Sequence, residues 1–234
     1  MAAPHLEILD LGCTRGDRPL FTGLREHVAG GELLHVAGSN GSGKTTLLRT
    51  LCGLSRPAAG EIRWRGTPVR ALGDQYRAEI AYVGHKDGVQ GELSAAENLE
   101  ALSCGAGASA TEMRRQIDAA LERLGLAAYA PYPAKLLSQG QRRRLALARL
   151  LVQSKPLWVL DEPFTALDAA SCRLVAALVS EHLAAGGIAV LSSHQAFDIA
   201  AATVKRVDLD RLSARAFAWA GGPEPRPERA SHPA

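Results

Sequence analysis

The stretch "LLHVAGSNGSGKTTLLRTLCGL", residues 33–54, decides how the rest of the chain is read. A largely apolar run over 33–38 meets a glycine-rich loop, and a helical pattern starts at Thr45. Gly38, Gly43, Lys44 and Thr45 match the phosphate loop G-x-x-x-x-G-K-[S/T]. The glycines at 38, 41 and 43 let backbone N–H groups turn inward around an anion. Ser39, Asn40, Ser42 and Thr46 complete the loop, and the helix N-terminus adds the positive end of its dipole. Lys44 supplies a point charge to β- and γ-phosphates, and the Thr45 hydroxyl is expected to ligate Mg²⁺. The plain alternative is a chance glycine-rich turn. The strand–loop–helix setting argues against it.

Two more apolar runs, "LWVLDE" (157–162) and "IAVLSSH" (188–194), suit parallel strands buried on both faces. The first ends on adjacent carboxylates. On its own, an acidic pair closing a strand is more often a cap or a solvated turn. Beside a phosphate loop, Asp161 is expected to hold the metal through water, leaving Glu162 to accept a proton from an attacking water. The second run ends at His194. A lone histidine there is usually just a satisfied polar residue, but parallel-strand ends gather where open α/β sheets bind ligands. His194 is therefore expected near the γ-phosphate.

"LEILDL" (6–11) and "EIRW" (61–64) alternate apolar and polar residues, as half-exposed strands do. The fold expected is α/β: a mixed sheet core with an antiparallel β part at the start. Met113, Ile117, Leu121 and Leu124 recur at helical spacing, so a helical insert is expected over about 86–150. The core domain is expected to span 1–220. The tail "GGPEPRPERASHPA" (221–234) is rich in proline and charge and is expected to be disordered.

Composition limits the possible functions. With 234 residues the chain fits one domain, and 27 basic against 24 acidic residues give a net charge of only +3. That near balance speaks against a nucleic-acid partner. Cys13, Cys52, Cys104 and Cys172 lie far apart with no CxxC pair, which suits neither zinc nor a disulfide framework. Residues 1–18 lack the pattern of a secretory signal, and no apolar stretch reaches the roughly 20 residues of a membrane span. The chain is expected to be soluble by itself and to need a partner to hold it at any membrane.

"LLSQGQRRRLALARLL" (136–151) places Arg142, Arg143 and Arg144 at the head of an apolar helix, just after "LSQGQ". Along the chain run a phosphate loop, L-S-x-G-Q, an acidic pair, "ALD" (166–168) and a strand-end histidine. This ordered set, over roughly residues 5–212, resembles the nucleotide-binding domain of ATP-binding cassette (ABC) proteins, a branch of the P-loop NTPases. The resemblance implies binding and hydrolysis of ATP with Mg²⁺. It implies that Ser138, Gly140 and Gln141, with Asp168, serve nucleotide sandwiched between two copies of the chain. On that reading the three arginines form a solvated first turn, and Leu145, Leu147, Leu150 and Leu151 face the core.

The chain departs from the family at two places. His85 stands where a glutamine usually approaches the metal and the attacking water, and no aromatic residue near Thr14–Arg15 is placed to stack on adenine. Arg15 is the available substitute. "YVGHKDGVQGELSAAENL" (82–99), with its Gly-His and E-N-L, resembles the branch that serves haem export in cytochrome c maturation. That implies an integral-membrane permease of the haem-export complex as partner, and a peripheral place on the cytoplasmic side of the inner membrane. The alternatives are an ABC subunit for another substrate and a non-transport ABC ATPase such as a cluster-assembly module.

Overall fold

The computed structural model describes residues 5–101, 109–194, 197–201 and 203–213. Cys104, Gln195 and the 221–234 tail lie outside the described residues. The chain begins with β1 (His5–Arg15), β2 (Arg18–Ala29) and β3 (Glu32–Ala37), followed by α1 (Lys44–Leu51), β4 (Ala59–Trp64) and β5 (Thr67–Pro68). Two single turns, α2 (Val69–Leu72) and α3 (Asp74–Arg77), lead into β6 (Ile80–Val83). Helices α4 (Ala95–Glu100), α5 (Ala110–Arg123) and α6 (Gln139–Gln153) precede β7 (Leu157–Asp161). The described chain closes with α7 (Ala169–Ala184), β8 (Ile188–Ser192) and β9 (Thr203–Asp208).

Two sheets result. One is antiparallel in the order β2-β1-β4-β5; the other is parallel in the order β6-β7-β8-β3-β9. Every residue of β7 and β8 is buried, as their continuous apolar runs require. Successive side chains point to opposite faces, so Leu157 and Val159 join α1 and the antiparallel sheet in one core. Trp158 and Leu160 enter the other core, with α4 to α7. The parallel sheet thus has apolar cover on both faces.

The expected stripe on α5 is present: Ile117, Leu121 and Leu124 are fully buried, and Met113 packs against the same core. Ser109 caps this helix, its Oγ accepting from the Glu112 N–H at 3.2 Å. In β1 the alternation holds only through Ile8. The register then shifts, Leu9 and Asp10 face outward, and Leu11 returns to the core. β9 escaped the sequence reading because it is an edge strand: among "TVKRVD" only Val207 is buried, opposite Val36.

Candidate functional site

The C-terminal ends of β3, β6, β7 and β8 converge on a cavity of about 420 Å³. It is lined by Asn40, Gly41, Gly43, Lys44, Thr45 and Thr46 from the loop after β3, and by His85 from beyond β6. Asp161 and Glu162 enter from β7, and His194 from beyond β8. Arg15 lines it too.

The loop's shape depends on its glycines. Gly43 caps α1 with φ 106°, where a side chain is strained, and an added Cβ would press on Leu20 at 3.1 Å. At Gly38, φ 148°, a Cβ would stand 2.5 Å from Ser42 Oγ. Lys44 is buried, and its Nζ donates to the carbonyls of Gly38 (2.8 Å) and Ser39 (3.1 Å), which anchors the ammonium against the loop. Ser39 is tied down from outside: its N–H and hydroxyl both donate to Asp210, each at 2.8 Å.

Asp161 is almost fully buried. Thr45 Oγ1 donates to its Oδ2 at 2.7 Å and Ser192 Oγ to its Oδ1 at 2.7 Å. Ser192 Oγ in turn accepts the Glu162 N–H at 3.0 Å. Burial, and to a lesser degree the neighbouring Asp161 carboxyl, pushes the Tyr82 phenol up to about 12. A hard hydroxyl beside a carboxylate, next to a phosphate loop, is a donor set that suits Mg²⁺, which takes few protein ligands and completes its shell with phosphate and water.

Glu162 has φ 52°, a left-handed conformation uncommon for a residue with a side chain. Its Oε2 accepts the His194 N–H at 3.3 Å, and His194 Nε2 stands 3.1 Å from Oε1. The geometry there is not that of a hydrogen bond, and buried Oε1 accepts none among the described residues. A carboxylate lining the cavity, one oxygen held by a backbone N–H and the other beside an imidazole, is arranged to receive a proton.

Ser138, Gly140, Gln141 and Asp168 do not line this cavity. Ser138 caps α6: its Oγ accepts the Gln141 N–H at 3.2 Å, and Gln141 Oε1 accepts the Ser138 N–H at 2.8 Å. Gln141 is thus engaged within its own helix. A Cβ at Gly140 would lie 2.9 Å from the Ala166 carbonyl, so only glycine fits under that loop. Asp168 caps α7, and the Ser171 N–H holds its carboxyl below the ordinary carboxylate value.

The expectation for the arginines is corrected. Arg143 is 3% exposed and does not belong to a solvated turn. Its Nη2 donates to the carbonyls of Asp161 and Glu162, both at 2.8 Å. Its Nη1 reaches the Gly84 carbonyl (2.8 Å) and Asp87 Oδ1 (3.0 Å), and its Nε the Pro163 carbonyl (3.4 Å). Backbone leaving β6 and β7 has no sheet partner, and its buried carbonyls need donors. Arg142 and Arg144 are half-buried, and Arg144 donates to the Leu124 carbonyl at 2.7 Å.

Sequence reasoning missed Ser192, Asp210, Leu20 and Thr165. Ser192 stands at the end of an apolar run, the first of two serines before the histidine. Leu20 and Thr165 line the cavity without any chemical signature.

A family model described as "ABC transporter" matches residues 21–165. The chain is 50% identical over 206 residues to a "Cytochrome c biogenesis ATP-binding export protein CcmA" of Nitrosospira multiformis, covering 88% of this chain and 99% of that one. A protein of the same description from Methylococcus capsulatus is 51% identical over 189 residues, 81% of this chain and 90% of that one. Among solved structures, a putative ABC transporter ATP-binding protein from Pyrococcus furiosus superposes with a TM-score of 0.75 at 28% identity, covering 89% and 98% of the two chains. A dimeric ATP-binding cassette with bound ADP and Pi gives 0.73 at 24% identity, covering 81% and 88%, a likeness of fold.

Proposed function

The chain belongs to the ABC transporter family of ATP-binding proteins, and we propose that it is the ATP-hydrolysing subunit of a haem-export complex in cytochrome c biogenesis. The observation that carries the chemistry is the convergence of the phosphate loop, the Thr45–Asp161 pair and the Glu162–His194 pair on one cavity. Half of all aligned positions being shared with cytochrome c biogenesis export proteins supports the biological assignment.

In the proposed mechanism the N–H groups of residues 40–46 and the Lys44 ammonium hold the β- and γ-phosphates of ATP. Thr45 and Asp161 would hold Mg²⁺, which when bound offsets the charge of the phosphate oxygens. The Glu162 carboxylate, which lines the cavity, takes the proton of the attacking water. His194, exposed at the cavity rim, donates toward the γ-phosphate, and His85 borders the same space. Arg15 covers the adenine end.

Ser138 and Gly140 serve nucleotide bound by a second copy. Support comes from their absence from the lining of their own cavity and from the N-terminal turn of α6, whose positive end they frame. Among the described residues no helix is long and apolar enough to cross a membrane. Attachment to the cytoplasmic side of the inner membrane then depends on an integral permease. The domain reading, a cassette over 1–220 with a helical part over about 86–150, is supported by α4, α5 and α6 lying between β6 and β7.

Complementation tests the assignment. In a bacterium lacking its own export ATPase, the wild-type gene should restore holocytochrome c, and Glu162→Gln should not. His85→Ala should restore less than His85→Gln at equal protein level, because glutamine keeps a hydrogen-bonding group at the cavity edge. Failure of the wild type to restore holocytochrome c, with ATP hydrolysis intact in the purified chain, would assign the subunit to another substrate.

A further inference from the structure

Arg143 spends all of its hydrogen-bonding capacity on two segments. A guanidinium carries five N–H donors, and five acceptors surround this one: the carbonyls of Gly84, Asp161, Glu162 and Pro163, and Asp87 Oδ1. Gly84 immediately precedes His85, and Asp87 follows it by two residues. The other three carbonyls flank or belong to Glu162. One side chain on α6 therefore grips both edges of the cavity.

We propose that Arg143 is a positioning residue for hydrolysis, linking the seating of α6 to the placement of Glu162 and His85. The Glu162 main chain is clamped from both sides, its N–H by Ser192 Oγ and its carbonyl by Arg143 and the Thr165 N–H. Such a clamp is what sustains φ 52° at a non-glycine residue and aims the carboxylate at the cavity. The same guanidinium fixes the peptide before His85. Helix α6 starts at the Ser138 cap, five positions earlier, so a shift of that end cannot leave Glu162 and His85 undisturbed. Arginine is required by geometry. Lysine offers three donors from one point and cannot span from Gly84 to Pro163.

The proposal rests on the ATPase reading above, and its test separates the two. The full-length chain is compared as wild type, Arg143→Lys, Asp87→Asn and Glu162→Gln. The readouts are ATP turnover with Mg²⁺, KM, binding of a fluorescent ATP analogue, and amide hydrogen exchange. In Arg143→Lys, kcat should fall about 10- to 100-fold, as sub-ångström to ångström misplacement of a catalytic group does, with KM and analogue affinity within about threefold. Exchange should rise together at 84–87 and 161–163. Asp87→Asn, which leaves the four carbonyl bonds in place, should lower kcat by less than about tenfold and raise exchange chiefly at 84–87. Turnover in Arg143→Lys within about twofold of wild type overturns the proposal. So does a parallel loss of turnover, affinity and folded protein in Arg143→Lys while Asp87→Asn turns over normally with unchanged exchange. An inactive wild type, or a Glu162→Gln as fast as wild type, would refute the ATPase reading itself.

Discussion

Ser192 donates to Asp161 Oδ1 at 2.7 Å and, through the same oxygen, accepts the Glu162 N–H at 3.0 Å. One hydroxyl on β8 therefore sets the orientation of both acidic residues at the end of β7. Asp161 is turned toward Thr45, and Glu162 is left to face the cavity with His194.

Removing that hydroxyl should cost stability as well as rate. Ser192→Ala strands a buried carboxylate oxygen and a backbone N–H, which should destabilise the fold by about 1–3 kcal/mol. Urea unfolding measures the loss. A midpoint equal to that of wild type would mean that water replaces the hydroxyl at no cost.

Glu162→Gln should bind ATP as wild type does and release phosphate about 10²–10⁴-fold more slowly, the usual worth of a general base. Single-turnover phosphate release separates this from binding. Lys44→Ala should weaken nucleotide binding as well, since its ammonium belongs to the loop that receives the phosphates.

Nucleotide should drive association. In the Glu162→Gln background, adding ATP should shift the chain from monomer to dimer, as bound ATP bridges the phosphate loop of one copy and Ser138 of the other. Ser138→Arg places bulk and charge at that bridge and removes the α6 cap, so the shift should vanish. Sedimentation velocity reads both. A dimer present equally with and without ATP in both variants would exclude a nucleotide-bridged interface.

Stability should decline on mild acidification. His182 stacks on Trp158 at 4.0 Å, and its pKa is held below the ordinary 6.5, burial being the main cause. Burial likewise lowers the pKa of His35, which packs edge-on to Phe197. Both are favoured neutral in the folded chain, so the unfolded chain binds more protons just below pH 6.5. Their contribution is complete above that pH and is lost as pH falls through the lower folded values. His182→Phe keeps a ring over Trp158 with nothing to protonate. Its stability should change less between pH 7.5 and 5.5 than that of wild type, as measured by denaturant titration at both.

The sequence alone determined what is contiguous. The phosphate loop lies in nine residues, the buried strands announce themselves as apolar runs, and the α5 stripe follows from a 3.6-residue period. Each depends on neighbours a few bonds away, so residue order carries the information. Tertiary structure decided what depends on distant chain. β9 is a strand only because β3 offers it an edge. Ser192 matters only because β8 lies beside β7, and Asp210 only because the chain returns to the loop at Ser39. Arg143 had the look of the wet start of a helix. It is buried because five acceptors from two other segments meet it there, and a charged side chain leaves water only where such partners replace the solvent.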